Sequence, residues 1–226
     1  MTDKRSVILF VKHPEKGMVK SRLAQNVDEG LVLRLYENMV LDTIEMLARG
    51  QFPFRICYTP PGARDQIVEW LGHEHSLFPQ TGDGLGDRME RAFARVFAGE
   101  GQEALLIGSD IPGLTTDVIN EAFNALLTND AVIGPADDGG YYLIGFRNKS
   151  FVPEIFYDMV WSTRTVFRET MDKLRDASTS VHVLPELTDV DTVEDLKTLL
   201  SQITGPASKI SRTRSFLEQH RKSFLK

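Results

Sequence analysis

The run Ala104-Leu105-Leu106-Ile107, followed by Gly108-Ser109-Asp110-Ile111-Pro112-Gly113-Leu114, constrains this chain more than any other stretch. Four apolar residues in succession are what a strand covered on both faces requires. Gly108 and Ser109 let the chain leave the sheet, and Pro112, with no N–H to donate, ends the ladder. Thr115 or Thr116 then caps a helix that begins Asp117-Val118-Ile119. Asp110 is thereby set just past the carboxyl end of a buried strand, where open α/β sheets bind their ligands. Two roles are open to it. It can be a hard oxygen ligand for a cation on a phosphorylated molecule, or it can cap a turn.

Around this stretch, strand patterns alternate with helical ones. Strands are expected over 6–11, 52–59, 76–79 and 181–184, and two more within 131–146. Helices are expected over 28–49, with Leu31, Leu35, Met39, Ile44 and Leu47 on one stripe, and over 63–71, 88–97 and 165–175. Asp87 precedes the third of these as a cap, and Trp161-Ser162-Thr163 precedes the fourth. Thr192 with Asp195 three residues on marks a further helix start. The pattern predicts a three-layer α/β/α domain with a mostly parallel central sheet, in which the strand after Gly139-Gly140 is a candidate antiparallel insertion.

A chain of 226 residues suits one large domain of this kind, expected over 1–204. The tail over 205–226 differs: six Lys or Arg stand against one Glu, with Ile210, Phe216, Leu217, Phe224 and Leu225 interspersed. It reads as a basic amphipathic helix packed on the body or on a second subunit, the latter making it a homodimer contact. The net charge of −6 argues against a nucleic-acid partner. Cys57 stands alone, which excludes an internal disulfide and suits a reducing compartment; it reads as a small core residue of its strand. No apolar run has the length of a membrane span, and the one at 7–11 is too short for a signal segment, so the expected location is the cytoplasm.

Three features fall at strand ends. The first is a basic loop, Lys12-His13-Pro14-Glu15-Lys16-Gly17-Met18-Val19-Lys20-Ser21-Arg22, directly after the first strand. Four cations so close in an acidic chain repel one another unless an anion joins them, which points to phosphate; a solvated basic loop is the alternative. It matches neither G-x-G-x-x-G nor G-x-x-x-x-G-K-[ST], so dinucleotide and P-loop readings both fail. Asp110 is the second feature. The pair Asp189 and Asp191, ahead of the last helix of the body, is the third. A cationic loop with carboxylates from separate strands is the composition of a metal–nucleotide site, in which Mg²⁺ or Mn²⁺ bridges diphosphate oxygens.

The run Lys12-x-Pro-x-x-Gly17-x-Val-Lys20-x-Arg22-Leu23, then Gly84-Leu85-Gly86-Asp87-Arg88-Met89, Gly108-Ser109-Asp110-x-Pro112, Gly134-Pro-Ala-Asp137-Asp138-Gly139-Gly140-Tyr141-Tyr142, Trp161-Ser162-Thr163 and Asp189-Val-Asp191-Thr192 resembles the bacterial glycosyltransferase-A-fold proteins of the nucleotide-diphospho-sugar transferase type. The resemblance spans residues 6–200 and extends, more distantly, to sugar and cofactor nucleotidyltransferases. It implies that Asp110 stands for the metal-binding aspartate of the D-x-D type motif, although Gly108-Ser109-Asp110 offers one carboxylate where many glycosyltransferases have two. Asp189 and Asp191 complete the expected metal set, with Mg²⁺ or Mn²⁺ as the ion. Lys12, Lys16, Lys20, Arg22, Arg88 and Ser109 are the expected nucleotide ligands. Asp137 or Asp138 is expected to orient or deprotonate the acceptor, beside Gly139, Gly140, Tyr141, Trp161 and Ser162. The expected activity is metal-dependent transfer from a nucleotide-diphospho-sugar to a small acceptor. One alternative is nucleotidyl transfer from an NTP to a phosphorylated acceptor with release of pyrophosphate. The other, a non-catalytic nucleotide-binding module, would bind without turnover.

Overall fold

In the computed structural model, which describes residues 4–99, 101–202 and 211–224, the apolar run at 104–107 lies within β4 (Glu103–Ile107) near the middle of a seven-stranded sheet. Its side chains alternate between two cores. Leu105 and Ile107 join one, and Ala104 and Leu106 join the other, as a strand buried on both faces must arrange them. The other strands are β1 (Arg5–Lys12), β2 (Phe54–Thr59), β3 (Leu77–Pro79), β5 (Ala131–Pro135), β6 (Tyr141–Arg147) and β7 (Val181–Val183). They are ordered β3-β2-β1-β4-β6-β5-β7. β6 runs antiparallel to both its neighbours, and every other adjacent pair is parallel. The predicted insertion after Gly139-Gly140 is therefore β6, and it carries the sheet from β4 to β5.

One face is covered by α2 (Glu29–Arg49), α3 (Arg64–Leu71), α5 (Thr116–Ala125), α7 (Val193–Gln202) and α8 (Arg212–Phe224), with the short α1 (Ser21–Ala24) at its edge. The other is covered by α4 (Leu85–Phe97), α6 (Val166–Asp176) and a 3₁₀ turn at Pro153–Phe156; Phe93 of α4 packs against Phe146 of β6 and Phe156 of the turn. The expected stripe of α2 is buried at Leu35, Met39, Ile44 and Leu47, with Leu31 half-buried. Cys57 lies in the second core, and burial pushes its thiol up to about 12, which leaves it inert.

Local capping signals are realised. Asp28 accepts from the Leu31 N–H and Thr115 from the Val118 N–H. Asp195 accepts from the N–H groups of Asp191 and Thr192, while Thr192 Oγ1 accepts from the Asp195 N–H, which is a reciprocal capping box. Two expected caps differ. α4 begins at Leu85 with Gly84 as its N-cap, so Asp87 lies inside the first turn, where its carboxylate accepts from the Asp83 N–H. Asp87 can act there because a carboxylate in the first turn also meets the positive helix end. α6 begins after Thr165, which makes no side-chain cap bond, and Ser162 turns left-handed at φ 64° instead.

The basic tail packs on its own body. Phe216, Leu217 and Phe224 of α8 are buried in the first core, and Asp42 of α2 accepts from the N–H groups of Arg212 and Thr213, which caps α8 from outside. Arg212 also pairs with Glu45. The boundary at 204/205, together with Ile210 and Leu225, falls outside the described residues.

Asp130 ties the start of β5 to the segment entering β7 and to the end of β6. It accepts from the Ser180 hydroxyl (2.6 Å) and N–H (3.1 Å) and pairs with Arg147. The Ser180 bonds, with help from Arg147, hold its carboxyl below the usual range. A native pKa below the unfolded one supplies stability above the unfolded value and withdraws it as pH falls. Asp130→Asn is thus expected to cost about 1–2 kcal/mol at neutral pH and less at pH 3 in urea melts. The same deficit at both pH values would show that charge plays no part in this tie.

Candidate active site

The carboxyl ends of β1, β4 and β5 open into a cleft of 480 Å³. Its floor is polar for a reason visible in the strand order: β1 and β4 are adjacent, so the segments leaving their carboxyl ends meet across one strand spacing. After β4 come Gly108, Ser109 and Asp110. β1 ends at Lys12 and passes into the loop that returns as α1. The segment after β7 is drawn alongside by the bonds from Asp137 N to Leu187 O and from Leu187 N to Pro135 O, and it delivers Asp189 and Asp191 to the same wall.

Oxygen atoms of Asp110, Asp189 and Asp191 lie within 4.8 Å of one another. Among them stands a cation from the chain itself. Lys20 Nζ is 2.6 Å from Asp110 Oδ2 and 2.6 Å from Asp191 Oδ1, and its side chain is 4 % exposed. Burial works against the ammonium, but Asp110 and Asp191 outweigh it and raise its pKa above the ordinary value. The effect on Asp110 is reciprocal. Burial would raise its carboxyl, and Lys20 more than reverses this, keeping it ionised. Asp189 makes no such bond. Burial pushes it up to about 7, with Asp191, Asp110 and Asp138 adding repulsion against the pull of Lys20. Three clustered carboxylates with one ammonium are a charge excess that holds a proton near neutrality.

These donors fit a hard divalent cation. All are carboxylate oxygens, they converge from two separate segments, and a stand-in cation already bridges two of them.

The expected nucleotide ligands divide. Lys12, Lys20 and Ser109 line the cleft, whereas Lys16 and Arg22 are exposed and do not. Lys20 is taken up by two carboxylates of the chain itself, Asp110 and Asp191, which the fold sets beside its helix start. Arg88 is also off the cleft lining, and its Nε donates to Gly82 O (3.3 Å), bracing the Gly-rich loop. In the turn between β5 and β6, Asp138 lines the cleft and Asp137 faces solvent. Asp138 Oδ1 accepts from the Gly140 N–H (2.7 Å), which leaves Oδ2 free for another partner. Gly140, Tyr141, Trp161 and Ser162 also line the cleft, and Gly139 does not. Tyr141 and Trp161 meet edge to face at 6.4 Å.

Tyr36 and Gln80 are among the lining residues that the sequence did not point to. Tyr36 Oη accepts from the Lys12 N–H (2.8 Å), donates to Lys12 O (3.0 Å) and lies 3.5 Å from Ser109 Oγ, so it pins β1 to the loop after β4. Burial pushes this phenol up to about 12, which keeps it a neutral donor. Its signal was a hydroxyl within an apolar helical stripe, which needs a polar partner. Gln80 is 6 % exposed, and its Nε2 donates to Cys57 O (2.9 Å), which fixes the amide at the β3 side of the cleft.

The fold and the cleft together define an enzyme of the nucleotide-diphospho-sugar transferase fold. The chain belongs to the family described as "Uncharacterized protein conserved in bacteria (DUF2064)", whose model matches residues 41–163. It is similar to a "putative nucleotide-diphospho-sugar transferase" from Desulfovibrio desulfuricans G20, with 37 % identity, a TM-score of 0.95, and 99 % of this chain and 98 % of that one covered. The same fold recurs at low identity in two further structures. One is the inositol-1-phosphate CTP transferase from T. maritima (12 % identity, TM-score 0.55, 91 % and 98 % covered). The other is Rv0371C from Mycobacterium tuberculosis H37Rv in complex with manganese (15 %, 0.53, 87 % and 97 %). No curated protein matches the chain. Among the described residues no helix is long and apolar enough to cross a membrane.

Proposed function

We propose that the protein is a metal-dependent glycosyltransferase that takes its sugar from a nucleotide diphosphate and gives it to the hydroxyl of a small acceptor. The observation that carries this reading is what one cleft brings together. Asp110, Asp189 and Asp191 converge there, and Lys12, Asp138, Gly140, Tyr141 and Trp161 line the same cleft. The relative at 37 % identity bears a matching description. In this reading the trio holds Mg²⁺ or Mn²⁺, which supplies charge neutralisation at the diphosphate when bound. Lys12 binds a phosphate oxygen. Asp138 accepts the acceptor's hydroxyl proton on Oδ2 while the Gly140 N–H fixes Oδ1. The acceptor oxygen bonds to the anomeric carbon, the bond from that carbon to the diphosphate breaks, and the nucleoside diphosphate leaves with the electron pair. Trp161 and Tyr141 offer aromatic surface to a sugar ring.

A second reading, nucleotidyl transfer with release of pyrophosphate, is favoured by the single carboxylate after β4, because Asp110 completes its set with Asp189 and Asp191 from a distant segment. Thermal melting with NDP-sugars and NTPs, each with and without Mn²⁺, separates the two. A ligand at 100 times its Kd stabilises the fold by about 2.7 kcal/mol. Metal-dependent stabilisation by one NDP-sugar beyond its bare NDP is expected. Preference for a triphosphate would replace the first reading with the second.

A further inference from the structure

Lys20 is the residue whose placement departs furthest from the phosphate role expected of its loop. Its ammonium sits 2.6 Å from one oxygen each of Asp110 and Asp191, two of the three carboxylates that gather within 4.8 Å. Carboxylates this close need a cation, and the structure supplies one from the chain. The attachment of Lys20 is also unusual. Its backbone is left-handed (φ 49°, ψ 43°), a conformation that costs a side-chain-bearing residue free energy. It follows the turn Glu15–Met18, which is exposed throughout and contains Gly17 at φ 73°. The ammonium is therefore tightly held by a residue that follows an exposed turn, with Val19 between them buried in the core.

We propose that Lys20 is an exchangeable counter-cation. It occupies the carboxylates of Asp110 and Asp191 in the empty enzyme, gives them up when a divalent cation arrives with its nucleotide, and moves its ammonium onto the phosphates. This rests on the reading that the acidic trio holds a metal. A divalent cation held by the trio would need the same carboxylate oxygens, and an ammonium between two of the three donors competes for them. Exchange conserves charge compensation throughout: the trio is never left without a cation, and the phosphates acquire one as they arrive.

The test is Mn²⁺ binding without nucleotide, read by the electron paramagnetic resonance of free Mn²⁺, in the full chain and in Lys20→Met. Met keeps the apolar stem and removes the competitor. Competition of this kind is a reciprocal coupling, so Lys20→Met is expected to bind Mn²⁺ about tenfold tighter or more. It is also expected to melt lower than the parent without metal and to gain more from added Mn²⁺. Equal or weaker Mn²⁺ binding in Lys20→Met would overturn the inference and make Lys20 a fixed structural partner. If Lys20→Met does not fold with or without Mn²⁺, Lys20→Gln carries the test: it keeps a hydrogen-bond donor for the carboxylates without the competing charge, and Mn²⁺ affinity no higher than the parent's would overturn the proposal. Asp189→Asn, whose carboxylate makes no bond to Lys20, distinguishes the two levels. Should the parent with NDP bind Mn²⁺ no better than Asp189→Asn does, the metal reading itself fails and the exchange with it.

Discussion

Asp110→Asn is expected to lower kcat/KM by on the order of 100-fold or more and to remove the Mn²⁺-dependent part of nucleotide binding. The substitution preserves shape. Asn Oδ1 can still accept from Lys20 Nζ, which the parent carboxylate holds at 2.6 Å, so the loop keeps a hydrogen bond and the fold survives. What is lost is charge. The trio falls to two carboxylates, one of which, Asp189, already holds a proton near neutrality because burial and its neighbours push it up to about 7. Asp191 is the other, and Lys20 stays with it. Two measurements check this: turnover with the donor identified by melting, and Mn²⁺ binding in the presence of the matching NDP. Turnover within about threefold of the parent would remove Asp110 from the metal set, a change too small for a lost charged ligand.

How far the sequence reaches depends on the range of each interaction. β4 was legible because burial on both faces leaves an uninterrupted apolar run, and Thr115 and the Thr192–Asp195 pair were legible because a cap is written within four residues. α4 starts three residues ahead of its expected position, because Gly84 caps it with no side chain and Gly86 looks like loop. In the helix that glycine has a packing reason: a Cβ on Gly86 would stand 2.4 Å from Phe156 O. The candidate site residues could be gathered from the sequence as a list but not paired with one another. Lys12, Lys16, Lys20 and Arg22 look equivalent in a string, and what separates them is strand order. The pairing of β1 with β4 brings Lys20 to Asp110, 90 positions away, and leaves Lys16 and Arg22 in solvent. Asp137 and Asp138 are likewise equivalent until the turn's hydrogen bonds aim one at the cleft and the other out. Tyr36 was hidden by its surroundings, since its ring belongs to the apolar stripe of α2 and only its hydroxyl belongs to the site.

Gly139→Ala is expected to destabilise the protein by about 2–4 kcal/mol and lower its melting temperature by roughly 5–15 °C, while leaving nucleotide binding in place. Two independent costs fall on this position. Its φ of +90° is a region side chains avoid, and a Cβ there would lie 2.4 Å from Arg164 O and 2.6 Å from Arg164 Cα. Those are backbone atoms on the approach to α6, and they cannot turn aside as a flexible side chain would. Relief therefore requires the turn and the α6 approach to separate, which strains the bond from Phe167 N–H to Gly139 O (2.9 Å). Asp138 and Trp161 ride on those two segments, so the part of the cleft that we assign to the acceptor shifts. Lys12 and Asp110 hang from β1 and β4, and the segment that carries Asp189 and Asp191 is bonded to Pro135 and Asp137, on the β5 side of the turn ahead of Gly139, so the displacement falls mainly on Asp138 and Trp161. The kinetic consequence is a raised KM for the acceptor with Mn²⁺–nucleotide stabilisation close to the parent's. Gly140→Ala is the control. Its φ is not left-handed, and its Cβ would approach only Asp138 Oδ1, at 3.0 Å, so a smaller loss of stability is expected. If Gly139→Ala melted as Gly140→Ala does, the close approach to Arg164 would not be what fixes this turn. If it lost nucleotide binding in proportion to acceptor binding, the turn and the acidic trio would be one cooperative unit.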